Sequence, residues 1–149
     1  MSKHFEVICY ILALFCSHST LAQPVNLGLP PVTYYAKTLY QAGTQSWDSK
    51  QDERGIIFLA NNEGLLCFNG DTWQCYPIAN GTCVRSLFID RANGYIYVGG
   101  QGEFGYFSPD VSGTLQYHSL NTLIPPAERS YGDVWDIVHF QDAYFFRTA

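Results

Sequence analysis

Gly55-Ile-Ile-Phe-Leu-Ala-Asn-Asn-Glu-Gly-Leu-Leu-Cys-Phe68 aligns without gaps on Gly94-Tyr-Ile-Tyr-Val-Gly-Gly-Gln-Gly-Glu-Phe-Gly-Tyr-Phe107, which begins 39 residues further along the 149-residue chain. Each copy is an apolar run, a polar or glycine-rich corner and a second apolar run, the pattern of two strands joined by a turn. Read outward from this pair, each unit extends to four short strands. In the first, Ser46–Gln51 precedes the polar corner Asp52-Glu53-Arg54-Gly55, Ile56–Ala60 and Leu65–Phe68 follow, and Trp73–Ile78 closes the unit after Asn69-Gly70-Asp71. Asn-Gly between apolar runs is a strong turn signal, because both residues accept positive φ. The second unit runs Val84–Asp90, Tyr95–Gly99, Tyr106–Ser108 and Leu115–Ser119, with turns at Asn93-Gly94 and Pro109-Asp110. A third begins with Asp133–Phe140, turns at Gln141-Asp142 and enters Ala143–Phe146.

Internal repetition at about 40 residues, with four strands per unit, predicts an all-β fold: a β-propeller of four-stranded antiparallel blades. The blades are expected at residues 45–78 and 84–119, with a third starting over residues 133–149. Ile56–Ala60 is apolar at every position, as in a strand covered on both faces. A closed ring takes roughly four to eight blades. The chain therefore reads as about two and a half blades of a longer protein.

Composition agrees with this reading. Aromatic residues make up 16% of the chain and charged residues only 14%, with 13 glycines, which suits short buried strands joined by tight turns. A net charge of −5 without any run of Lys and Arg argues against nucleic acid or an anionic lipid surface as a partner of this region. Residues 1–22 read as a secretory signal peptide. Lys3 and His4 open it, Phe5–Cys16 is a 12-residue apolar stretch broken only by Glu6, and Thr20-Leu21-Ala22 precedes Gln23 as a cleavage site. Twelve residues are too few to span a bilayer, which takes about 20. Residues 23–44, with Pro24 and Pro30-Pro31, are expected to form an extended lead-in to the first blade.

Cys67, Cys75 and Cys83 remain after the signal is removed. Cys67 and Cys75 flank the Asn69-Gly70 turn and would bridge only if the strand register set them opposite; the plainer expectation is buried free thiols. No cysteine or histidine spacing suits a metal, and no cofactor is expected. Gly100-Gln101-Gly102-Glu103-Phe104-Gly105 matches G-x-G-x-x-G. A dinucleotide site needs a helix next, and Tyr106-Phe107-Ser108-Pro109 predicts a strand. The glycines are better explained by positive φ or close approach of backbones. His118 and His139 stand alone within strands and are expected to be structural. No nucleophile, base and carboxylate come together in sequence, so no catalytic residue is assigned and the region is not read as an enzyme.

Trp47, Gly55–Trp73, Val84-Arg85-Ser86 and Tyr95–Phe107 together resemble the opening blades of a bacterial sensor family. In that family a signal peptide leads into two-component-regulator propeller repeats, then a triple-tyrosine domain, a membrane helix and an output module of LuxR or histidine-kinase type. The resemblance covers residues 29–146. Its most specific parts are Asn-Asn-x-Gly-Leu at Asn61–Leu65 and Gly-Gln-x-Glu-Phe-Gly-Tyr at Gly100–Tyr106. Cys67 and Asn69 stand where the family commonly has an acidic residue and aspartate.

The resemblance implies an extracytoplasmic ligand-sensing domain of a signal-transduction regulator, exported to the periplasmic side of the inner membrane. Its ligand would be a carbohydrate or another nutrient-derived small molecule. Further partners would be the triple-tyrosine and output domains of the same protein and a second copy in a homodimer, with a membrane met only through the full-length protein. The rival readings are part of a secreted glycan-acting propeller enzyme and a protein-binding scaffold. In a propeller, loops joining second to third strands crowd one face. That geometry nominates Asn61, Asn62, Glu63, Gln101 and Glu103 as ligand-binding residues, with Arg85 joining them if it points inward. The alternative for the loop residues is that they satisfy turn backbone groups. For Arg85 it is an ion pair with Glu103.

Overall fold

The computed structural model describes Gly28 and residues 30–148. The signal peptide over residues 1–22 and the first part of the lead-in fall outside the described residues. The chain divides into two compact units, Met1–Thr33 and Tyr34–Ala149. In the first, the described residues 30–33 carry no regular structure; everything below concerns the second. Among the described residues no helix is long and apolar enough to cross a membrane.

The second unit is all-β apart from short helical turns. Strands β1 (Ser46–Gln51), β2 (Ile57–Asn61), β3 (Gly64–Phe68) and β4 (Trp73–Tyr76) form one antiparallel sheet in the order β1-β2-β3-β4. Strands β5 (Val84–Asp90), β6 (Tyr95–Gly100), β7 (Phe104–Pro109) and β8 (Leu115–Ser119) form a second sheet of the same order. Strands β9 (Val134–Phe140) and β10 (Ala143–Thr148) form an antiparallel hairpin. The gapless alignment of the two repeats is reproduced residue by residue in the register. Ile57 pairs with Phe68, Phe58 with Cys67, Leu59 with Leu66 and Ala60 with Leu65. In the second sheet Ile96 pairs with Phe107, Tyr97 with Tyr106, Val98 with Gly105 and Gly99 with Phe104.

Most element bounds agree with the sequence to within two residues. β7 starts at Phe104 rather than Tyr106, because Gly105 pairs with both Val98 and Ser119 and so carries the strand through the glycine-rich corner. The lead-in is not extended throughout: Lys37–Tyr40 forms a single helical turn, α1, closed by Gln41 in the left-handed region at φ 48°. Its Tyr40, together with Tyr35, lies against Trp73, and Tyr35 also meets Phe68. Short 3-10 turns at Asn121–Leu123 and Pro126–Glu128 link the second sheet to the hairpin.

The core lies between the two sheets. Phe58, Ala60, Leu65 and Cys67 from β2 and β3 meet Val84, Leu87, Ile96, Val98 and Phe107 from β5, β6 and β7 in one buried cluster. Cross-strand partners on one face share a side of the sheet, so these residues are one face of each sheet. The opposite face of the second sheet meets the hairpin through aromatic contacts: Tyr97 with Tyr144, and Phe104 with Phe146. Both faces of the second sheet are therefore used. Alternation weakens accordingly, and β6 is buried at every position after Tyr95.

Candidate functional site

The first strand of each unit carries a β-bulge at the same place. In β1, Ser46 pairs with Asn61 and Asp48 with Ala60, so Trp47 is the extra residue. In β5, Val84 pairs with Gly100 and Ser86 with Gly99, leaving Arg85. In β9, Val134 pairs with Thr148 and Asp136 with Arg147, leaving Trp135. A bulge adds one residue to a strand, increases its local twist and re-aims the side chain there. Three repeats thus send Trp47, Arg85 and Trp135 away from the ladder at equivalent positions.

These three side chains converge. The Arg85 guanidinium carbon lies 3.9 Å from the Trp47 ring centroid and 5.1 Å from that of Trp135. The two indoles meet edge to face at 6.1 Å and 77°. Both remain 39% exposed, whereas the Arg85 side chain is only 14% exposed. Arg85 Nε faces Asp133 Oδ2 at 3.4 Å, so the charge is balanced by Asp133, not by Glu103 as the sequence suggested. Glu103 is unavailable because its Oε1 accepts from Ser119 Oγ at 2.6 Å, Tyr117 Oη at 3.0 Å and the Phe104 amide at 3.1 Å. This carboxylate, with burial, drives the Tyr117 phenol far above its ordinary range and lifts Tyr131 to about 12, burial being the larger cause in each.

The remaining nominated residues separate into scaffold and border. Asn61 is 1% exposed and holds the chain behind it, donating from Nδ2 to Gly43 O at 2.7 Å and Ser46 Oγ at 3.2 Å while its Oδ1 accepts from the Glu63 amide. Asn62 is exposed, and its Oδ1 accepts from Trp47 Nε1 at 2.8 Å, which fixes the first indole. Gln101 forms an isolated antiparallel bridge with Asp133, which sets the partner of Arg85 beside the glycine-rich corner. The Glu63 side chain is exposed, and its carbonyl accepts from Cys75 Sγ. Asn62, Arg85 and Gln101 therefore border one cluster, and Asn61 and Glu103 are turned into the fold.

Trp135 and Asp133 were not nominated from sequence. A signal for the first was present: Trp47-Asp48 and Trp135-Asp136 repeat the same dipeptide at the start of equivalent strands. The residue after the bulge stitches neighbouring units together. Asp48 Oδ2 accepts from the Leu87 amide at 3.0 Å, and Ser86 Oγ donates to Val134 O at 3.0 Å.

Other motifs resolve structurally. In the glycine-rich corner, Gly102 has φ +63°, while a Cβ at Gly100 would come within 2.6 Å of Cys83 O and one at Gly105 within 2.2 Å of His118 O. The corner leads into β7, not a helix. Cys67 pairs with Gln74 and Cys75 with Leu66, so the two thiols point to opposite faces of the sheet. Among the described residues Cys67, Cys75 and Cys83 are free thiols. Burial, and secondarily Cys75, pushes the Cys67 thiol up to about 12. His118 stacks on Tyr106 and shares a hydrogen bond with Ser108 Oγ, and His139 stacks on Tyr144. Among the described residues no group of three His, Cys, Asp or Glu is arranged to hold a metal ion.

Comparison with protein-family models, curated proteins and solved structures gives no match to this chain.

Proposed function

We propose that the chain is the ligand-sensing region of an extracytoplasmic bacterial signal-transduction receptor, built as consecutive blades of a β-propeller. The observation that carries the reading is the convergence of three equivalent bulged residues, Trp47, Arg85 and Trp135, from the first strands of three successive units. First strands of neighbouring blades lie beside one another around a propeller axis, and residues re-aimed from them face whatever enters there. The order β1-β2-β3-β4 and β5-β6-β7-β8, with β5 next to both β1 and β9, supports the same architecture. The signal-peptide pattern and the resemblance at Asn61–Leu65 and Gly100–Tyr106 supply the receptor part of the reading. Asn62 and Gln101, which border the cluster, are the nominated loop residues that keep a role at this face.

Two experiments test it. Alkaline phosphatase fused after Ala149 and expressed in a bacterium should be active, since the enzyme matures only outside the cytoplasm; an inactive fusion contradicts export. In a strain carrying the intact gene, Trp47→Ala should abolish nutrient-dependent transcription of the regulated genes while the protein accumulates normally. An unaltered response would contradict the sensing role.

A further inference from the structure

The Arg85–Asp133 pair is charge-balanced yet incompletely hydrogen-bonded. Arg85 Nε and Nη1 and Asp133 Oδ1 are buried atoms without a hydrogen-bond partner among the described residues. Buried polar atoms are satisfied in the great majority of cases, and each exception calls for an explanation. Here the unsatisfied atoms include donors and an acceptor, side by side. The Arg85 guanidinium lies against Trp47 and Trp135, whose indoles are partly open to solvent.

We propose that Trp47, Trp135, Arg85 and Asp133 form a subsite for an electrically neutral ring bearing hydroxyl groups, and that the subsite discriminates against a carboxylate-bearing ring of the same shape. The inference deepens the ligand-sensing reading by assigning the ligand's charge. A hydroxyl accepts from the guanidinium and donates to Asp133, so it completes both halves of the pair. A carboxylate only accepts. It would gain from Arg85 and lose comparably to Asp133, because attraction and repulsion at similar distances nearly cancel. Its desolvation beside two indoles would then go uncompensated. The apolar face of the ring lies on indole, as apolar walls with a few placed polar groups do in small-molecule sites.

The test uses tryptophan fluorescence of the whole chain carrying Trp73→Phe, which leaves Trp47 and Trp135 as the reporters. The probes are methyl β-glucoside and methyl β-glucuronide, which differ only in CH2OH against carboxylate; cellobiose distinguishes a free ring from the end of an oligosaccharide. The glucoside is expected to quench with an affinity about tenfold above that of the glucuronide, a difference set by the uncompensated desolvation of one carboxylate. Cellobiose should bind more tightly than the glucoside if the source is an oligosaccharide and equally if it is a free sugar. The decisive variant is Asp133→Asn, which leaves Arg85 without its counter-charge and should reverse the preference toward the glucuronide. A structural role for the pair would not produce that reversal. Equal or tighter glucuronide binding by the parent, an unaltered preference in Asp133→Asn, or no quenching by any probe would each overturn the proposal. These readouts involve neither export nor transcription, so their failure is separable from failure of the receptor reading.

Discussion

The two interfaces of the second sheet occupy equivalent places in the repeat and are built from different side chains. On one side, Phe58, Ala60, Leu65 and Cys67 of the first sheet meet the aliphatic face formed by Leu87, Ile96 and Val98. On the other, the residues 39 positions later in the alignment, Tyr97, Gly99, Phe104 and Tyr106, share a face whose Tyr97 and Phe104 meet the hairpin. The strand pair that covers them is equivalent too. Ile89 opposite Ile96 in the second sheet becomes His139 opposite Tyr144 in the hairpin. Tyr144 is stacked between Tyr97 at 4.0 Å and His139 at 4.5 Å, and its hydroxyl donates to Asp90. One scaffold thus supports a contact in which aliphatic side chains surround Phe58 and Phe107, and a stacked aromatic, hydrogen-bonded one. The strand register, which both share, is what the repeat preserves; the side chains between sheets are free to change in complementary pairs.

The interface between the two four-stranded sheets should be the more sensitive to truncation. Phe107 is 1% exposed at its centre, and Phe107→Ala is expected to lower unfolding free energy by about 3–5 kcal/mol in urea denaturation, by lost burial and an unfilled cavity. A loss below about 1 kcal/mol would mean that the two sheets do not share a core. The aromatic interface is best broken by adding volume. A Cβ at Gly99 would lie 2.5 Å from both Ser86 Oγ and Val134 Cγ1, so Gly99→Ala should cost about 1–3 kcal/mol and loosen the hairpin in hydrogen exchange. Exchange in β2 and β3 should hardly change.

The smallest effect separates the interfaces by pH. The hydrogen bond from Tyr144 is the largest cause holding the Asp90 carboxyl below the usual carboxylate range. A lowered folded pKa contributes stability that is fully present above the unfolded value of about 3.9 and is lost as pH falls through the folded one. Burial, then the Asp90 bond, raises the Tyr144 phenol above its ordinary range, so its contribution is present below about pH 10 and disappears as pH rises through the folded value. Tyr144→Phe keeps the stacking and removes the bond. It should cost about 1–2 kcal/mol at neutral pH, less near pH 3, and flatten the acid limb of the stability curve. An unchanged acid limb would show that the bond does not couple Asp90 to folding.

Much of this fold is legible in the sequence, for local reasons. Asn93-Gly94 and Asn69-Gly70 mark turns because their backbone conformations are decided within a few residues, and β1, β5 and β8 begin and end where apolar runs and turn residues place them. The loop composition around Asn62 and Gln101 was visible for the same reason. What was not visible depends on which strand packs on which. Arg85 could have met Glu103 or Asp133; the choice follows from the Gln101–Asp133 bridge and from the hydroxyls of Tyr117 and Ser119 that engage Glu103, all set by tertiary contacts. The bulges were likewise hidden. A sequence pattern of apolar residues gives the face of a strand but not the one residue that leaves its ladder, so the joint position of Trp47, Arg85 and Trp135 emerges only from the pairing.

That three repeats deliver equivalent bulged residues to one cluster is tested most directly by a double-mutant cycle between Trp47 and Arg85. Trp47→Leu, Arg85→Met and the double variant would be unfolded in urea, and the difference isolates the contact between the two side chains from the other consequences of each change. With the guanidinium 3.9 Å over the indole and largely removed from solvent, the coupling should be about 0.5–2 kcal/mol. Strict additivity of the two substitutions would contradict the account.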